Sequence, residues 1–187
     1  MKTVLRAMLI PVLFTVFATT ASTAAQASDN IILGLSLNRS TLNTEGPTIG
    51  TGESTALTYD LKIGKVSDWL YLGGIYSVAS NTSNGGSEVK RTALGATAGY
   101  HDKGFLLDLS YFLTAKKDAS ATVLNKGTGF GLDIGYNWMM GQSFFLGLQM
   151  VYRKFTYEEV EASGVTTTQE NKVLSETYPM INLGLAF

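Results

Sequence analysis

The sequence predicts an all-β protein, an eight-stranded antiparallel up-and-down transmembrane β-barrel. Three observations predict it. Apolar residues alternate with small or polar ones through eight successive segments, the connections between segments alternate between tight and long, and the chain opens with an export signal and closes on an alternating segment ending in an aromatic residue. Successive side chains of a strand point to opposite faces, so alternation yields one row for lipid and one for the lumen.

Residues 1–27 read as a secretory signal peptide and residues 28–187 as one outer-membrane barrel domain. The leader has a basic start (Lys2, Arg6), an apolar run from Ala7 to about Ala18, and small residues leading to Ala25-Gln26-Ala27, which places cleavage between Ala27 and Ser28. A retained membrane helix is the poorer account. Pro11 interrupts the run, which is shorter than the roughly 20 apolar residues that a span requires.

The first strand sets Ile31, Leu33, Leu35 and Leu37 outward against Ile32, Gly34, Ser36 and Asn38. The second sets Leu57, Tyr59, Leu61 and Ile63 against Thr58, Asp60 and Lys62. In the third, Leu70, Leu72, Tyr76 and Val78 form the outward row, although Trp69 and Tyr71 would suit lipid too. The fourth sets Leu94, Ala96, Ala98 and Tyr100 against Ala93, Gly95, Thr97 and Gly99, and the fifth sets Phe105, Leu107, Leu109, Tyr111 and Leu113 against Asp108, Ser110 and Thr114. The sixth has the cleanest alternation, with Phe130, Leu132, Ile134, Tyr136 and Trp138 opposite Gly129, Gly131, Asp133, Gly135 and Asn137. The seventh sets Phe144, Leu146, Leu148, Met150 and Tyr152 against Gly147, Gln149, Val151 and Arg153, and the eighth ends at Phe187.

Residues 64–68, 101–104 and 139–142 read as tight turns, and the polar stretches near 39–54, 79–90, 115–127 and 157–173 as long loops. Outer-membrane barrels keep short turns in the periplasm and long loops outside, and an even strand count puts both termini on the turn side. Trp69, Tyr100, Phe105, Trp138, Phe144 and Phe187 lie beside the expected turns, and Tyr76, Tyr111, Phe130, Tyr152, Phe155 and Tyr178 towards the loops. Two such aromatic girdles suit a spanning barrel. A soluble barrel would need its apolar face inward; with the faces as read here, five successive apolar positions of several strands would meet water.

The whole mature chain resembles the small outer-membrane β-barrel proteins of the OmpA/OmpX/OmpW kind: a signal peptide, eight alternating strands, alternating connection lengths, and a terminal Phe187 preceded by Leu185, Leu183 and Ile181. The resemblance implies the fold and an outer-membrane location in a Gram-negative-type envelope. It also implies that Ile181, Leu183, Leu185 and Phe187 form the signal read by the barrel-assembly machinery. It is a likeness of architecture and carries no diagnostic motif for an activity.

The inward row contains Asp60, Lys62, Arg91, Asp108, Asp133, Arg153 and Glu176, four acids against three bases. An eight-stranded barrel is just wide enough for side chains to fill, so these residues are expected to pair as a plug, Arg153 with Asp133 or Glu176, and not to line an ion-selective tube. Loss of Lys2 and Arg6 from the 14 basic residues leaves 12 against 15 acidic ones, a mature net charge of −3 that offers nothing to nucleic acid. With no cysteine there are no disulfides, thiolate metal sites or cysteine nucleophiles.

Candidates for chemistry are few. The only histidine, His101, falls in an expected periplasmic turn beside Asp102 and reads as solvated, far from the outer face where barrel lipid enzymes keep their polar residues. Glu158, Glu159 and Glu161 read as a solvated acidic run and not as a calcium site. Gly127, Gly129 and Gly131 are spaced by two inside a strand, which suits space in a crowded lumen and not a phosphate loop. Pro179 would remove a ladder bond from the closing strand, so it marks a bulge, the strand's start, or a lateral opening.

The expectation is therefore a monomeric, non-enzymatic surface or envelope protein without cofactor or metal, surrounded by outer-membrane lipid, whose loops meet an extracellular ligand. The alternative, implied by the OmpW-like resemblance, is a narrow channel or carrier for small hydrophobic molecules. An enzyme acting on membrane lipid comes third.

Overall fold

The structure, a computed structural model, describes residues 30–46, 50–83, 88–119, 122–162 and 165–187. The expected leader, its expected cleavage site and the other residues outside these ranges lie outside the described residues. Eight strands follow one another in chain order: β1 (Asn30–Gly46), β2 (Gly50–Ser67), β3 (Leu70–Ser83), β4 (Glu88–Asp102), β5 (Phe105–Ala119), β6 (Thr122–Met140), β7 (Phe144–Ala162) and β8 (Val165–Ala186). Each pairs antiparallel with the next, and β8 pairs with β1 to close the barrel. The backbone amide of Ile31 also donates to the Phe187 carbonyl at 2.7 Å, so the last residue is stitched to the first strand.

At one end, here the turn end, the connections are tight. Lys103 and Gly104 both have positive φ (50° and 92°), the twist that a two-residue hairpin needs to match its strands. At the other end the long polar stretches expected as loops are largely strand. β1 and β2 stay in register out to Gly46↔Gly50, and β7 and β8 out to Ala162↔Val165. Backbone pairing continues because it needs no apolar face, and strands of 14 to 22 residues far exceed the roughly 9–11 that cross a bilayer. The barrel wall thus projects as polar hairpins at this hairpin end.

The faces follow the alternation. Leu35, Leu61, Leu72, Leu109, Ile134, Leu148 and Ile181 lie exposed on the outside, while Ser36, Asp60, Asp108, Asp133 and Arg153 are buried within. That is the reverse of a soluble barrel, whose apolar residues fill its interior. In β3 the even row is the outer one and Tyr71 turns into the lumen, leaving Trp69 exposed in the turn. Val78 keeps its outward parity yet is covered between its ladder neighbours Tyr59 and Thr92.

One expectation fails where the ladder shifts. Register breaks between Leu94 and Gly95 in β4 and between Phe112 and Ala115 in β5, so Leu113 and Thr114 both face outward and Ala115 takes the inward place expected of Thr114. A cleft of about 560 Å³ opens in the wall at these bulges, lined by Leu94, Leu113, Thr114, Lys116 and Lys126 among others.

Pro179 is neither a bulge nor a strand start. The β1–β8 ladder runs only from Ile32↔Ala186 to Leu37↔Ile181, so Pro179 lies just past its end. The Pro179 carbonyl accepts a hydrogen bond from Asn38 Nδ2 at 2.7 Å and therefore points towards β1. In an antiparallel strand the amide and carbonyl of one residue point to the same edge. The missing N–H of Pro179 thus falls where the ladder has already stopped, and above it β1 and β8 part.

Candidate functional site: the plugged lumen and its open mouth

Inward positions on β2, β5, β6 and β7 bring five charged side chains to one level of the lumen. Arg153 donates from Nη2 to Asp60 Oδ2 at 2.7 Å and to Asp133 Oδ2 at 3.0 Å, and its Nη1 bonds Asp133 Oδ1, a two-donor fork on one carboxylate with a second acceptor alongside. The Lys62 ammonium lies 2.6 Å from Asp108 Oδ2 and 2.7 Å from Asp133 Oδ2. Asp60, Arg153, Asp133, Lys62 and Asp108 thereby form one chain of alternating charge, all of it buried. Each charge has its partner within bonding distance, the condition for keeping ions out of water at tolerable cost.

The chain has a sixth member that the sequence reading assigned to solvent. His101 is the last-but-one residue of β4, and counting by two from Ala93 and Thr97 puts it inward. Its Nε2 lies 2.7 Å from Asp108 Oδ1, and its ring stacks on Tyr71 with centroids 4.7 Å apart. The error was to end the strand at the presumed turn; carrying the alternation two residues further would have found it. With Leu106 and Phe145, also buried, His101 and Tyr71 close the turn end of the lumen.

On the other side of Arg153 the filling is apolar. Ile75, Ala93, Phe112, Ala115, Leu124, Phe155 and Tyr157 form a buried cluster inside the barrel. Phe155 and Tyr178 were expected in the outer girdle, but both lie on inward rows, since the alternation runs on into the stretches read as loops. Trp69, Tyr100, Phe105, Trp138 and Phe144, by contrast, are exposed at the turn end, with Trp69 and Tyr100 ring centroids 5.8 Å apart. The glycines of β6 make the room: a methyl on Gly129 would stand 2.5 Å from the Phe155 ring, and one on Gly131 would stand 2.7 Å from Arg153 Nη1.

Arg91 and Glu176 form a separate pair nearer the hairpin end, with Nη1 2.8 Å from Oε1 and the guanidinium lying over the Phe155 ring at 4.3 Å. Above them a cavity of about 470 Å³ opens at the parted edges of β1 and β8, lined by Asn38, Ser40, Thr58, Arg91, Glu176 and Tyr178 among others. Asp108 and Asp133 meet at the Lys62 ammonium, which occupies the place a cation would take, and His101 reaches only Asp108. No group of three His, Asp or Glu among the described residues is set to hold a metal.

No family model and no curated protein matches the chain. Among solved structures it is similar to the β domain of the Bordetella autotransporter BrkA, at 17% identity and a TM-score of 0.36 over 85% of this chain and 70% of that one.

Proposed function

We propose that the protein is an exported outer-membrane barrel that does not conduct and catalyses no reaction, a rigid anchor that holds polar hairpins above the cell surface. The buried chain Asp60–Arg153–Asp133–Lys62–Asp108 carries this reading. Ions crossing the lumen would have to break paired charges that have no water to replace their partners, and the apolar cluster beyond Arg153 offers an ion no ligand. The exposed apolar band supports a lipid setting. The resemblance to OmpA/OmpX/OmpW-like barrels supports the outer membrane, with the turn end in the periplasm and Ile181, Leu183, Leu185 and Phe187 read by the assembly machinery. His101 is engaged by Asp108 and Tyr71 at the end away from the surface, which supports a non-enzymatic role. The reading is tested in planar bilayers. The refolded mature chain is expected to leave conductance at the baseline of the empty membrane, and steady single-channel steps would sink it.

A second reading, carriage of a small hydrophobic molecule, rests on the bulge cleft, where Leu94 and Leu113 meet the outer face of the wall. It predicts that a fluorescent fatty acid binds the folded barrel and is displaced by Thr114→Trp, which would fill the cleft. Binding unaffected by that substitution would remove this reading.

A further inference from the structure

We propose that the cavity at the hairpin end is a binding site for a small hydroxylated oxyanion, a sugar-sized molecule carrying a carboxylate or phosphate, with Arg91 as its anchor. Arg91 is 3% exposed and lines the cavity. Its Nη1 is taken by Glu176, whereas Nε and Nη2 have no hydrogen-bond partner among the described residues. Those two N–H groups are neighbours on the guanidinium and point the same way, so the unused donors make up one complete fork. A carboxylate or phosphate edge accepts such a fork with two parallel bonds; a neutral hydroxyl fills half of it.

The surroundings define the rest of the ligand. Asn38, Ser40, Thr58, Ser80 and Asn81 bring hydroxyls and amides to the cavity wall, and Tyr178 lines it with a buried hydroxyl that likewise has no partner among the described residues. Such a lining matches a molecule rich in hydroxyls. Lys117 stands opposite Arg91 on the β4–β5 ladder and also lines the cavity. A volume of about 470 Å³ falls in the roughly 300–1,000 Å³ range of small-molecule sites, and the parted edges of β1 and β8 give a way in. The guanidinium is held in place by its stacking on Phe155, so the fork is oriented before the ligand arrives. The inference concerns the mouth alone and stands whether or not the lumen beneath it conducts.

The experiment is calorimetric titration of the folded barrel in an amine-oxide detergent, which carries neither sugar nor phosphate. Glucuronate and glucose 6-phosphate are the charged probes and glucose the neutral control. A further arm uses nanodiscs with and without lipopolysaccharide, to separate a free ligand from a lipid-borne one. At least one acid, free or lipid-borne, is expected to bind ten times or more tighter than glucose. Arg91→Lys, which keeps the charge and loses the fork, is expected to erase that margin in a barrel whose electrophoretic mobility still changes on boiling. Should Arg91→Lys not fold, Glu176→Gln serves instead: removing the competing carboxylate is expected to tighten the acid about threefold. Acid affinity equal to that of glucose in every arm, or a margin that survives Arg91→Lys, or no tightening in Glu176→Gln, would overturn the site.

Discussion

Arg153 and Glu176 stand directly opposite each other on the β7–β8 ladder, yet they do not pair. Arg153 turns towards the turn end, to Asp133 and Asp60, and Glu176 reaches Arg91 across the lumen. Register alone would join them, and the sequence offered Glu176, with Asp133, as a possible inward partner. The lumen decides otherwise. Two buried carboxylates, Asp60 and Asp133, have greater need of a cation than Glu176, whose side chain is 38% exposed and partly served by water. The result is two electrostatic units of different character, a buried plug and a wetter pair at the mouth.

Their difference gives the first prediction. Arg153→Ala leaves Asp60 without its cation and Asp133 with Lys62 alone, so it is expected to destabilise the barrel by about 3–5 kcal/mol. Glu176→Gln, which keeps an oxygen to accept from the Arg91 guanidinium at a place open to water on one side, is expected to cost about 1 kcal/mol or less. Urea titration of the folded protein in lipid measures both, and equal losses would show that the plug is no more dependent on its pairing than the mouth is.

Gly129 supplies a second. Its missing side chain is the space that the Phe155 ring occupies, at 2.5 Å from where a methyl would sit. Gly129→Ala must push that ring off its packing against Phe112, whose centroid is 5.0 Å away, at a cost of about 1–3 kcal/mol. The paired variant Gly129→Ala with Phe155→Leu should recover part of it. Thermal unfolding of the two variants checks this, and an unchanged midpoint in the single variant would mean that the cluster yields freely.

The strands, their faces and the charged lumen residues were legible because period-two alternation is strongest where one side meets an apolar medium. Three residues escaped for one cause. His101, Phe155 and Tyr178 lie where the polar surroundings of the outward row weaken the alternation, so the sequence reads as leaving the sheet while the inward row continues. Thr114 escaped for another reason, since a bulge changes parity within a continuous strand and Leu113-Thr114-Ala115 carries no mark of it. Of the lumen's pairings, Arg153 with Asp133 was among those expected; the rest could not be read, because they depend on how far each strand is shifted against its neighbours around the closed ring.

Phe187 is exposed on the outer face at the turn end and is bonded through both backbone groups to Ile31, at 2.7 and 3.1 Å. Phe187→Ala keeps those backbone bonds and removes only the ring. It is therefore expected to leave the stability of the folded barrel within about 1 kcal/mol while lowering severalfold the amount assembled in cells, if the terminal row is what the assembly machinery reads. Equal amounts of parent and variant in the outer membrane would detach Phe187 from that role.

Orientation is the last prediction, and the sequence makes it clean to test because the chain has no cysteine of its own. Val165 begins β8 at the hairpin end and is exposed; Gly141 opens the β6–β7 turn at the other end and is also exposed. A cysteine at either place would react with a maleimide if the reagent could reach it. The wall extends well past a bilayer at the hairpin end only, and long extensions belong on the outer surface because the periplasmic side of such barrels is closed by short turns. A membrane-impermeant maleimide added to intact cells is thus expected to label Val165→Cys and to spare Gly141→Cys, with both labelled after the cells are broken. Labelling of Gly141→Cys with protection of Val165→Cys would invert the barrel, turn the His101 end to the outside, and move the proposed oxyanion site into the periplasm.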